Sequence, residues 1–180
     1  MTKKLIVILT LVLTFFGRPV FAEELKQELS LNLKVNIRKP VCRLASGDQT
    51  VYFDEFDALD IITGSDKTTK NTILNFTDCN SVDKINITFN RSGQSPSIDT
   101  VNNWIPNKSG QNMAAGIAVM LLDDKKNIID LGKKMAINIG HTETSKQVML
   151  KAKIVPTDKI GYGITSGKLE TAVGIEISYE

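Results

Sequence analysis

The sequence predicts an all-β protein folded as a two-layer sandwich. Three observations carry this. Most of the chain reads as short runs in which apolar and polar residues alternate. Clusters of Gly, Ser, Asn, Asp and Pro separate the runs at short intervals. No long stretch repeats with the helical period, although Phe56–Ile62 has room for one helical turn.

The first segment stands outside this pattern. Two lysines in Met1–Lys4, the apolar stretch Leu5–Gly17, and Val20 and Ala22 at small-residue positions read as a secretory signal peptide cut after Ala22. The apolar stretch falls short of the roughly 20 residues that a membrane span needs. Cleavage removes Lys3, Lys4 and Arg18 and no acid, so the net charge moves from +2 to −1. A nucleic-acid binder would show a basic stripe instead.

The elements follow in order. Glu28–Cys42 ("ELSLNLKVNIRKPVC") places Leu29, Leu31, Leu33, Val35 and Ile37 on one face. At about 3.3 Å per residue, Glu28–Val41 would reach roughly 45 Å, longer than a small domain is deep. Thr50–Phe56 is expected as a strand with Val51 and Phe53 inward. Asn71–Cys79 and Asp83–Asn90 are further strands, the second alternating Ile85, Ile87 and Phe89 against Asn86 and Thr88. Residues 91–112 are rich in Ser, Asn, Gly and Pro and read as a long loop. Ala115–Asp123 is nearly all apolar, as in a strand covered on both faces, and Asp123–Asn127 is a turn. Asn127–Gly132 and Met135–Gly140 are short. Lys146–Pro156 alternates through Val148, Leu150, Ala152 and Ile154, and Asp158–Lys168 is a glycine-punctuated loop. Thr171–Glu180 puts Val173, Ile175, Ile177 and Tyr179 on one face. An immunoglobulin-type sandwich needs one more strand beside this last one. The pattern is one strand short at the back and half a strand too long at the front.

Cys42 and Cys79 are the two cysteines. In an exported chain a disulfide is the default, because the compartment is oxidising. Closing a loop of about 37 residues stabilises by roughly 3–4 kcal/mol in the chain-entropy treatment. A reactive thiol would need a cationic or helix-start setting, and neither cysteine has a clear one.

Nothing points to catalysis. His141 is the single histidine and lacks partners for a metal site. Asp54, Glu55, Asp57 and Asp60 form an acidic segment without the offsets or the bend glycine of a calcium loop. Trp104, in the long loop, is either a cap on the core or a platform for stacking a sugar. No enzyme activity and no cofactor are expected.

Taken together these residues resemble the pilins of chaperone–usher fimbriae. The signal peptide precedes an alternating segment, Glu23–Val41, ahead of the first cysteine. The second cysteine ends a strand as "NFTDC". "GIAVMLLDDKKNIIDLG" is similar to paired middle strands around a short turn, and "VMLKAKIVP" precedes a Gly-rich loop. Gly167 stands fourteenth from the C-terminus and Tyr179 is penultimate, both as in the family.

The resemblance implies an incomplete immunoglobulin-like sandwich lacking its last strand, completed by a donor strand from a chaperone or another subunit. It divides the chain into a signal peptide (1–22), an N-terminal donor-strand extension (23–34) and a pilin domain (35–180). The donor residues would be Leu29, Leu31 and Leu33, with Val35 at the handover and Leu25 at the far end. The acceptor groove would run along Val173, Ile175, Ile177 and Tyr179, with Gly167 beside it. The carboxylate of Glu180 would be held by basic chaperone residues. One departure stands out: the family often has a glycine seven residues before the first cysteine, and here that residue is Val35.

The expected function is a structural subunit of an adhesive fimbria, exported through the periplasm to the cell surface. It would polymerise by donor-strand exchange. Its partners would be neighbouring pilin subunits, a periplasmic chaperone, an outer-membrane usher and, through the assembled pilus, a host-cell receptor. The alternatives are a tip-located adhesin or adaptor that binds host glycans, and a chain-terminating subunit.

Overall fold

The alternating runs become strands in two antiparallel sheets. The computed structural model describes residues 41–93, 95–140, 142–158 and 160–180. The expected signal peptide, donor extension and His141 lie outside the described residues. The strands are β1 (Val41–Leu44), β2 (Thr69–Asn80), β3 (Lys84–Arg91), β4 (Ile105–Pro106), β5 (Ile117–Leu122), β6 (Met135–Asn138), β7 (Lys146–Pro156) and β8 (Val173–Tyr179). One sheet runs β1-β2-β7-β5-β4 and the other β6-β3-β8. A short helix, α1 (Ala58–Thr63), precedes β2.

Period two decides which side chains meet. In β2, Leu74 and Phe76 point inward and are buried, while Ile73 faces out. Across the sandwich, β3 buries Ile85, Ile87 and Phe89. β5 is buried at nearly every position, as its unbroken apolar run requires. β7 alternates, burying Val148, Leu150, Ala152 and Ile154. Together these side chains form one core cluster.

Cys42 and Cys79 are joined, 37 residues apart in sequence, and the bond ties β1 to the end of β2. The register shifts between Val41 and Arg43, so one residue of β1 opposes two of β2. Asp78 takes a positive φ of 54° in that bulge, a conformation that Asp tolerates better than most residues.

Two expectations are corrected. Thr50–Phe56 joins no ladder. Instead it runs as irregular chain beside β2, held by side chains: Gln49 Nε2 donates to the Ile73 carbonyl at 2.9 Å, and Lys70 pairs with Asp54. Its apolar residues still serve the core, with Val51, Phe53 and Phe56 half-buried and the two Phe rings edge-to-face at 6.5 Å. Asn127–Gly132 makes a single bridge, Leu122 to Ile128, rather than a strand. The helical turn does form. Asp57 caps it reciprocally with Asp60, and Gly64 closes it in the left-handed conformation.

Candidate functional site

The candidate site is the outer edge of β8. The strand pairs with β3 from Arg91↔Val173 to Ile85↔Tyr179, and among the described residues nothing pairs along its other side. Lys84 and Glu180 exchange both backbone hydrogen bonds at 2.9 Å. Bonded and non-bonded pairs alternate in an antiparallel ladder. Ser178, Glu176 and Gly174 therefore turn their backbone groups toward β3. Tyr179, Ile177, Ile175 and Val173 turn theirs outward, to the edge that has no partner among the described residues.

These same four residues carry the apolar side chains. They stand beside Ile85, Ile87, Phe89 and Arg91 on one sheet face. Ile87 is 0 % exposed, whereas Ile175, one strand over, is 37 % exposed. Val173, Ile177 and Tyr179 pack on the core but stay half-buried. The interior is thus covered over Ile85, Ile87 and Phe89 and, among the described residues, only partly covered over β8. Partial burial raises the pKa of the Tyr179 phenol. The strip these four residues form is apolar, and among the described residues its outward N–H and C=O groups have no strand beside them.

The outer face of β8 is polar and locked. The Glu180 side chain accepts from Lys84 Nζ at 3.1 Å and from Asn86 Nδ2 at 2.8 Å, and Glu176 accepts from Asn90 at 3.2 Å. These bonds satisfy Asn86, which is buried. The terminal carboxyl group of Glu180 accepts the backbone N–H groups of Asp83 and Lys84 at 2.7 and 2.9 Å. Sequence reasoning missed this internal anchorage; the signal was only a lysine and an asparagine on β3, far away in sequence.

Gly167 has a steric role. Its φ is +150°, and a Cβ there would lie 2.4 Å from the Ala114 nitrogen and the Met113 carbonyl carbon. The segment crosses that backbone on its way to β8: Ala114 N–H donates to Lys168 O at 3.0 Å and Lys108 N–H to Glu170 O at 3.1 Å. Asn107 braces it further, donating to Lys168 O and accepting from Glu170 N–H, both at 2.8 Å.

Trp104 is half-buried, and its backbone is bonded both ways to Asp99. No group of three or more potential metal ligands occurs among the described residues.

The architecture defines the class: an immunoglobulin-like β-sandwich whose second sheet, among the described residues, ends at β8 with nothing paired beyond it. The sequence pattern of the fimbrial protein family matches residues 31–180, and the chain belongs to that family. No curated protein sequence matches it. Solved structures agree on the fold. A subunit from the structure of a chaperone–usher pilus solved to explain rod uncoiling superposes with a TM-score of 0.60 at 12% identity, covering 86% of this chain and 97% of that one. The P pilus rod subunit PapA gives 0.58 at 12% identity, covering 77% and 99%. A Burkholderia pseudomallei antigen and type I fimbria protein gives 0.51 at 16% identity, covering 78% and 91%. The chain is therefore a fimbrial subunit, a structural protein exported to the cell surface as part of the fimbria.

Proposed function

We propose that the subunit polymerises by donor-strand exchange through β8. The supporting observation is that Val173, Ile175, Ile177 and Tyr179 are left only partly covered while Ile85, Ile87 and Phe89 on the neighbouring strand are buried, with outward backbone groups on the same four residues. An incoming segment that alternates Leu29, Leu31 and Leu33, ending at Val35, supplies one side chain per pocket and continues the ladder. Full burial of each leucine is worth roughly 1.5–3 kcal/mol. A periplasmic chaperone covers the edge first, and the exchange takes place at the outer-membrane usher. The anchorage of Glu180 by Asp83 and Lys84 leaves only part of its carboxyl group for basic chaperone residues.

The test uses the mature chain, 23–180, with and without a synthetic peptide of residues 28–35. The peptide is expected to bind slowly and raise the melting temperature strongly, and the untreated chain is expected to self-associate. A monomer that is stable without any added strand, and indifferent to the peptide, would sink the proposal. Removing residues 23–33 should leave a subunit that the chaperone folds but that cannot attach to its neighbour. A chain-terminating role would show as a chain whose own groove rejects every donor peptide.

A further inference from the structure

A second surface stands apart from the β8 edge. Leu59 and Ile62 lie three residues apart on α1 and are both exposed. Beside them the loop after β7 presents Ile160, 67 % exposed, and Tyr162, 88 % exposed. The loop and the helix touch: a Cβ on Gly161 would come within 2.6 Å of Ile62 Cγ1, so only glycine, here at φ +72°, fits between them.

The surface is built rather than loose. The Asp158 carboxylate accepts backbone N–H groups from Ile160 at 3.1 Å, Gly163 at 3.0 Å and Gly161. These bonds fold the loop around one side chain and force Ile160 and Tyr162 outward. The reciprocal Asp57–Asp60 cap and the Gly64 closure fix α1 in the same way. Four apolar side chains held out on a rigid frame mark a docking surface, and an exposed tyrosine is a favoured anchor.

Topology selects the occupant. The surface lies at the end of the sandwich where β7 finishes and β5 begins, at Pro156↔Ile117. The start of β8 belongs to this end, because Thr171, two residues before it, donates to the carbonyl of Pro106, which pairs with Ala118 of β5. Val41 enters β1 at the opposite end, beside Asn80 and close to the 81–84 turn that holds Glu180. Five residues, 36–40, separate the end of the donor segment at Val35 from β1, and five residues span at most about 18 Å. A domain of this size has a radius of gyration of about 14 Å, so that tether brings successive domains into contact. Antiparallel pairing, the more stable mode, sends the incoming segment's C-terminal end out beside the start of β8.

We propose that Leu59, Ile62, Ile160 and Tyr162 dock the next subunit of the same fimbria, against the end of that subunit's domain where its Val41 enters β1. The contact is head-to-tail, as an open polymer requires. This rests on the donor-strand reading above. The test assembles fimbriae from the full chain with a photo-crosslinking amino acid in place of Tyr162. Crosslinks are expected to residues 38–44 or 78–84 of a second subunit. Ile160→Ser with Tyr162→Ser should leave polymers that form but dissociate about tenfold faster. Leu31→Asp is the control for the donor strand. If Leu31→Asp still polymerises, the donor-strand reading fails. If it does not, while crosslinks go only to the chaperone or to no subunit and the serine variant dissociates at the wild-type rate, the docking surface alone is refuted.

Discussion

At the residue scale, single atoms decide two positions. Gly167→Ala forces a Cβ into the 113–114 backbone at a φ that L-residues avoid. It should cost at least about 2 kcal/mol in denaturant unfolding, read as a lower midpoint at unchanged slope. Glu180 tests the terminal lock. Hydrogen bonding from Lys84, then from Asn86, lowers its carboxyl pKa below the ordinary 4.5. A depressed pKa contributes stability that is present above the ordinary value and is lost as pH falls through the folded value. Wild type should therefore exceed Glu180→Gln in melting temperature at pH 7, and the gap should close in acid. Gly167 and Tyr179 are singled out in the sequence by position alone. The reason for Gly167 is not legible there, because the backbone it crosses is some fifty residues upstream.

At the element scale, β3 and β8 carry the same alternation and meet different fates. Ile87→Ala opens a sealed core and should cost about 2–5 kcal/mol of domain stability. Ile175→Ala removes a side chain that the isolated domain leaves partly in water. It should barely shift domain unfolding, yet weaken binding of the 28–35 peptide several-fold, measured by peptide competition. Equal effects of the two changes on domain stability would contradict the open edge. The disulfide acts through β1: replacing both Cys42 and Cys79 with serine should cost about 2–5 kcal/mol, measured on chaperone-released subunit. β5, β7 and β8 were legible almost to the residue, because their periodicity is unbroken. Thr50–Phe56 was misread because its alternation is genuine and its apolar residues do face the core. What it lacks is a ladder; Gln49 and Asp54 take over the bonding.

At the scale of the whole molecule, the fold is a sandwich whose second sheet stops one strand short among the described residues. A β-sandwich with an apolar open edge is unstable toward association. The isolated mature subunit should therefore aggregate at micromolar concentration and become monodisperse once the donor peptide is added, followed by light scattering. The exposed patch at α1 and the loop after β7 escaped sequence reading entirely. Leu59, Ile62, Ile160 and Tyr162 are spread over about a hundred residues, and apolar residues in a loop look alike whether they fold in or out.

The sequence by itself determined the all-β class, most of the strands, the disulfide and the family. Each depends on near-neighbour periodicity, on residue type or on compartment. Only the tertiary structure decided which alternating strand is sealed and which is open. Ile87 and Ile175 sit in equally good β patterns, and burial depends on what lies alongside rather than on the pattern itself. The structure also decided that the last residue is anchored by its own chain, since Lys84, Asn86 and Glu180 come together only when β8 pairs with β3.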